Sequence, residues 1–361
     1  MKNIWKLLFW KLLLCVDQRI LGKIKNFSLA NRLAGRTCGA NLWRKGMFRG
    51  AGGKMSSLRV RTDLALEVRE NMEESAKDCR GVKVEEEYKE ESELRITRVV
   101  IETMNGAKAM GKPIGTYITL EAPAMALPDE DYHEEIAREL AVQLKKIIPD
   151  IDKELSVMVV GLGNRDVTAD ALGPNVVDNL TITRHMMKEY GKAAFNQKKV
   201  HMVSALVPGV MAKTGMESQE IIKGVVEKTK PDVVIVIDAL AARSTKRLNR
   251  TIQITNTGIH PGSGVGNHRN AITQEALGVP VIAIGVPTVV DAATIVSDAF
   301  EKMMRQTGEE PLEIQDNLLS GLGELYNMYV TGKDVDYEIK QISHIICNAL
   351  NSALETCHDP H

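Results

Sequence analysis

Cysteine, aromatic residues and long apolar runs are all scarce in this sequence, and each scarcity argues against a class of protein. The five cysteines (Cys15, Cys38, Cys79, Cys347 and Cys357) are scattered, odd in number and without CxxC spacing. That pattern argues against a disulfide framework and a thiolate zinc site, and for a reducing compartment. Aromatic residues make up 4% of the chain, too few for platforms that stack bases or sugars. No run of about 18 apolar residues occurs, so no membrane span is expected. Charge of one sign is not in excess either: 46 basic against 47 acidic side chains give a formal net charge of -1, which supplies no global field for direct nucleic-acid binding.

Residues 1–54 stand apart. They hold no Glu and one Asp, Asp17, among many Lys and Arg. The stretch from Trp5 to Leu14 has the look of an amphipathic anchor or a poor signal peptide, but Lys6 and Lys11 interrupt it. Gly52-Gly53-Lys54 just ahead of Met55 is what a purine-rich ribosome-binding site becomes when translated. Met55 is therefore the expected start, with residues 1–54 a non-native extension.

The body reads as α/β. Val99–Glu102 and Thr116–Leu120 are rich in β-branched residues and predict strands. Glu130 to Ile148 has helical spacing, with Ile136, Leu140, Leu144 and Ile148 on one face and Pro149 as the stop. Val157–Val160, Met202–Leu206, Val233–Ile237 and Val281–Ile284 are short apolar runs, and stretches near 174–190, 218–230 and 290–304 carry helical patterns between and after them. Continuous apolar strands alternating with helices imply a wound, mainly parallel sheet flanked by helices. The tail from about Leu312 to Cys357 is expected to be mostly helical. Glu85–Glu91 is a charge run, expected to be a solvated loop or helix face.

In open α/β sheets ligands gather beyond the carboxyl ends of the strands. Three such ends carry polar residues: Gly161–Pro174, Asp238–Ser244 and Gly258–Asn267. The first fails as a dinucleotide loop, because Asp166 occupies the place of the third glycine of GxGxxG. There is no Walker A sequence and no GxSxG elbow. Two carboxylates remain. Asp170 lies in a turn bounded by Gly and Pro, and Asp238 follows an apolar strand. Held close, such a pair shares a proton, so that one member activates water while the other acts as acid. The alternative is that Asp170 caps the helix near Pro174 and Asp238 caps its own turn. Asp166 reads as a solvent-facing loop residue. His260 and His268 flank a Gly-rich loop; they are either loop histidines or partners of the aspartates in a metal site.

The strings RTDLALEVRE (61–70), GLGNRDVTADALGP (161–174), ALVPGVMAKTGMES (205–218), VVIVIDALAARS (233–244) and TGIHPGSGVGNHRNAI (257–272) resemble the germination protease family of spore-forming bacteria. The resemblance runs from about Leu58 to the C-terminus. It implies a fold like that of hydrogenase maturation proteases, and a homotetrameric zymogen in the forespore that later degrades small acid-soluble spore proteins during germination. Asp170 and Asp238 match the family's two essential aspartates, which are regarded as working without metal or cofactor; in the hydrogenase-maturation relatives the equivalent positions bind a metal. Ala169 stands where the family usually has Pro, and His268 where it often has Lys, which argues against His268 as an essential ligand. Family substrates are cut within an acidic, apolar, Ala, small, Glu string, and Arg61–Glu67 looks like one. The resemblance thus implies self-cleavage between Asp63 and Leu64, a propeptide over 55–63, and a single protease domain with a helical tail over 64–361. The rival readings are a metal-dependent endopeptidase using Asp170, Asp238 and His260, and a nucleotide-binding module using the GLGN loop.

Overall fold

The structure is a computed structural model and describes residues 62–74, 80–196, 200–262, 269–307, 325 and 328–355. The expectations for residues 1–61 and for His268 lie outside the described residues. A single sheet organises the chain. Its strands are β1 (Val82–Lys89), β2 (Leu94–Ile101), β3 (Gly115–Glu121), β4 (Ser156–Gly161), β5 (Met202–Leu206), β6 (Val233–Ala242), β7 (Thr251–Thr255), β8 (Val281–Asp291) and β9 (Tyr329–Val330). They lie in the order β1-β2-β3-β7-β8-β6-β4-β5, with β9 paired to the far end of β8. The strands β8, β6, β4 and β5 run parallel, and β1, β2, β3 and β7 extend the sheet by antiparallel pairing. This is the α/β class expected, with the parallel half at the apolar strands.

Both faces of that half are covered, which explains its unbroken apolar runs. Along β4, Val157 and Val159 face a layer formed by the helices Glu130–Ile147, Leu172–Asp178 and Val335–Leu354. Met158 and Val160 face the opposite way, onto Ile222 and Val226 of the helix Ser218–Thr229. The helix Glu130–Ile147 begins where Asp129 accepts a hydrogen bond from Tyr132 N, and it buries Ile136, Leu140 and Leu144 as its spacing predicts.

Several local expectations are corrected. Most of the charge run, Glu85–Lys89, belongs to β1, an edge strand, and only Glu90 and Glu91 lie in the exposed turn beyond it; Glu85, Glu86 and Glu87 are exposed on the strand, and edge charge discourages pairing with another chain. The helix expected from about Pro174 to Tyr190 is two helices, Leu172–Asp178 and Arg184–Tyr190. Between them Thr183 Oγ1 donates to His201 O (2.6 Å) and accepts from Val203 N (2.8 Å), so the chain is tied to the β5 segment instead of continuing to wind. β6 and β8 run past the apolar cores read from sequence, to Ala242 and Asp291. Asp238 therefore lies within a strand, opposite Gly285 of β8, and not at a strand end. Of the tail, the described residues hold the short strand β9 and the helix Val335–Leu354, and the expectation for residues 312–324 lies outside the described residues.

Gly161, which ends β4, marks a tight packing point near the site. A Cβ there would lie 2.3 Å from Gly173 O and 2.9 Å from Pro174 N, both backbone atoms that cannot swing aside. Gly161→Ala is expected to destabilise the protein by about 3 kcal/mol, the upper end of overpacking costs, because the helix Leu172–Asp178 must shift off β4. Urea denaturation measures this; a loss below about 1 kcal/mol would mean that the helix moves freely.

Candidate active site

Where the parallel strands end, the chain order reverses direction across the sheet. From β4 the chain passes to β5 on one side and then to β6 on the other. Ligand crevices in wound sheets form at such switch points. Here a cavity of about 430 Å³ opens, lined among others by Gly163, Asp170, Gly209, Asp238, Ala241 and Asp63. The two aspartates singled out by sequence thus share one cavity, although they lie on elements far apart in the chain.

Asp170 closes the turn after β4. Its Oδ2 accepts from Asn164 N at 2.8 Å, and its main-chain oxygen accepts from the same N–H at 3.1 Å. Gly163 permits this fold-back: its φ is +118°, and a Cβ would sit 1.9 Å from Asp170 O. Of the two glycines that imitate a dinucleotide loop, Gly163 thus serves the aspartate and Gly161 the packing of the helix Leu172–Asp178. Asp170 is not the helix cap of the alternative reading, since the helix Leu172–Asp178 has no side-chain cap. Asp238 is 6% exposed, and its Oδ1 accepts from Ala239 N at 3.0 Å.

Burial sets the charge state of the pair. Desolvation raises the Asp170 pKa, opposed by the Asn164 N–H. The Asp238 pKa is raised well above the ordinary carboxylate value, first by desolvation, then by the charges of Asp170 and of Asp63. Three carboxyl groups thus bear on one enclosed space, and the deepest of them favours its protonated form.

Asp63 of the substrate-like string lines the same cavity. Asp63 extends the end of β6: its N–H donates to Ala241 O at 3.0 Å, and its Oδ2 accepts from Ala241 N at 3.0 Å. Leu64 is fully buried against Leu240, Ala242 and Val290. Ala65 is fully buried beside Val99, Ile101 and Tyr117. Glu67, in the first turn of the helix Ala65–Glu74, is 3% exposed; its carboxylate accepts from Arg243 N (2.8 Å) and Ser244 N (3.0 Å), takes the Thr62 hydroxyl, and faces Arg247 at 3.6 Å. Arg247 is itself held by Glu70 and Glu121.

Sequence reasoning singled out Asp238–Ser244 as a polar strand end but did not foresee that the amides of Arg243 and Ser244, with Arg247 from the turn beyond, would cradle Glu67. Of the remaining expectations, His260 is exposed and does not line the cavity. Asp166 is on the surface and pairs with Lys213. Among the described residues no group of three or more His, Cys, Asp or Glu is placed to hold a metal, and no helix is long and apolar enough to cross a membrane.

Comparisons with known proteins agree with the motifs. The germination protease family matches residues 60–320. A germination protease of Caldanaerobacter subterraneus is 47% identical, over 82% of this chain and 95% of that protein. Those of Clostridium perfringens (strain ATCC 13124) and Bacillus mycoides are 45% and 39% identical, over 82% and 83% of this chain and 95% of each relative. Among solved structures, a NiFe hydrogenase maturation protease, HycI from Thermococcus kodakarensis, aligns over 58% of this chain and 99% of its own length, with 14% identity and a TM-score of 0.29. On the family match and the identities over most of its length, the chain belongs to the germination protease family.

Proposed function

We propose that this protein is an aspartate-dependent endopeptidase, made in the forespore as a homotetrameric zymogen, that cleaves its own Asp63–Leu64 bond and then initiates degradation of small acid-soluble spore proteins during germination. The observation that carries the reading is that Asp63 lines the cavity that also holds Asp170 and Asp238, while Leu64 to Glu67 are seated on the strands beside it. Each distinguishing residue of the string has its own place: the acid on Ala241, the apolar residue among β6 and β8 side chains, the Ala in a tight corner by β2 and β3, and the final Glu on two backbone amides. A protein that digests such strings in others would hold its own in this manner.

In this mechanism the pair carries one proton. Asp238, more deeply desolvated and facing the charges of Asp170 and Asp63, holds it; Asp170, whose anion is stabilised by the Asn164 N–H, draws a proton from water. The water oxygen attacks the carbonyl carbon, and the departing amine receives its proton from the pair. Cleavage defines a mature domain from Leu64 onward.

The test is incubation of the purified full chain, alone and with a small acid-soluble spore protein, followed by mass spectrometry. A self-generated form beginning at Leu64 is expected, together with substrate fragments cut after an acidic residue and before an apolar one. A different first residue, or processing that requires an added protease, would overturn the reading.

A further inference from the structure

The main-chain oxygen of Asp63 is met by two side-chain donors that the aspartate mechanism does not use. Lys112 Nζ donates to it at 2.8 Å, and Gln253 Nε2 approaches it at 3.4 Å. The other end of the Gln253 amide accepts from Ala65 N at 2.7 Å, so one side chain grips the chain on both sides of Leu64. Lys112 follows Gly111, which caps the helix Met104–Met110 in the left-handed region at φ 60° and turns the chain toward the site. The residue's surface is partly exposed while its ammonium end is enclosed.

Two acids, Asp63 and Glu67, lie near enough to act electrostatically on this lysine. The observed hydrogen bond nevertheless runs to a peptide carbonyl. An enclosed cation aimed at the carbonyl oxygen of a residue that lines the cavity of Asp170 and Asp238 is placed as an oxyanion-hole donor would be. Burial pulls the Lys112 pKa down against the pull of the two acids, which suits a donor whose positive charge is stabilised only once an anion forms before it.

We propose that Lys112 is a catalytic residue of this protease: with help from Gln253, it stabilises the negative charge that develops on the carbonyl oxygen of the bond being cut, first that of Asp63 and later that of the acidic residue of a protein substrate. This rests on the reading that Asp63–Leu64 is the self-cleavage site. Water adds to the Asp63 carbonyl carbon and gives one proton to the aspartate pair. The π electrons move to the oxygen, where Lys112 Nζ and Gln253 Nε2 hold them. The carbon–nitrogen bond then breaks, the nitrogen of Leu64 takes the proton from the pair, and the new α-carboxyl group of Asp63 passes its proton to that amine, so the products are an α-carboxylate at Asp63 and an ammonium group at Leu64. No other reactant is needed.

The test uses the full chain and follows the appearance of Leu64 as first residue. Lys112→Met keeps the length of the stem and removes the donor; Lys112→Ala leaves room for a small amine. Both are expected to stay folded by circular dichroism and to self-cleave at least 100-fold more slowly than the unaltered chain, the loss typical of one oxyanion donor. Propylamine is expected to restore part of the Lys112→Ala rate, and propanol none of it. Rates within threefold of the unaltered chain for a folded Lys112→Met variant, or equal rescue of Lys112→Ala by propanol, would overturn the proposal and leave Lys112 a structural tie. Failure of the unaltered chain to cut at Asp63–Leu64 would instead remove the underlying site assignment, and this proposal with it.

Discussion

Asp238→Asn and Asp170→Asn are each expected to slow self-cleavage by on the order of 10³-fold, within the range that general acid–base groups contribute, while leaving the fold intact. Asn is nearly isosteric with Asp and retains one acceptor oxygen, so the contacts to Ala239 N and Asn164 N can persist. What is lost is the exchangeable carboxyl proton. The two variants should differ in stability. Asp238 lies desolvated among Asp170 and Asp63, and its ionised form is disfavoured in the folded state. Asp238→Asn should therefore melt higher than the unaltered protein at neutral pH, a gain of stability with a loss of activity. Asp170→Asn should gain less, because its anion has a backbone donor. N-terminal analysis over time and thermal melts measure both effects. A folded variant that cleaves within tenfold of the unaltered rate would reduce that aspartate to a turn-stabilising residue.

How far the sequence reveals such a site depends on whether its signal is local. β4, β6 and β8 are legible because both of their faces are buried and their apolar runs are unbroken. The pairing of Asp170 with Asp238 follows from the rule that wound sheets gather function at strand carboxyl ends. The end of β6 is misread for a physical reason: a buried carboxyl interrupts the apolar pattern, and Ala239-Leu240-Ala241-Ala242 has little β-branched character, so the strand signal stops at the residue that matters. β1 is hidden because an edge strand tolerates the glutamates that suggest a solvated helix. β7 is only five residues, and its Thr-Ile-Gln-Ile-Thr alternation is easily passed over, yet it supplies Gln253. Lys112 and Gln253 reach Asp63 from 49 and 190 residues away, a convergence that the sheet order creates and no spacing along the chain announces.

Self-cleavage is expected to depend on pH as a bell, with both limbs displaced upward from those of ordinary carboxylates. The sign follows from the two shifts. As pH rises through the raised pKa of Asp238, the pair loses its shared proton, and the rate should fall tenfold per unit because no acid remains for the leaving amine. As pH falls through the raised pKa of Asp170, the pair gains a second proton and loses its base. Stability should follow the alkaline-side change in the same direction. Between the ordinary carboxylate pKa and the raised folded value of Asp238, the native state binds more protons than the unfolded state. Its stability is then full below that window and declines as pH rises through it, and Asp238→Asn should flatten the decline. A metal-bound pair would behave in the opposite way: protons compete with a cation for its ligands, so activity would rise with pH. Rate–pH profiles measured with and without EDTA separate the two. An activity that climbs steadily from pH 5 to 8, vanishes in EDTA and returns with zinc would replace the shared proton by a cation held between Asp170 and Asp238.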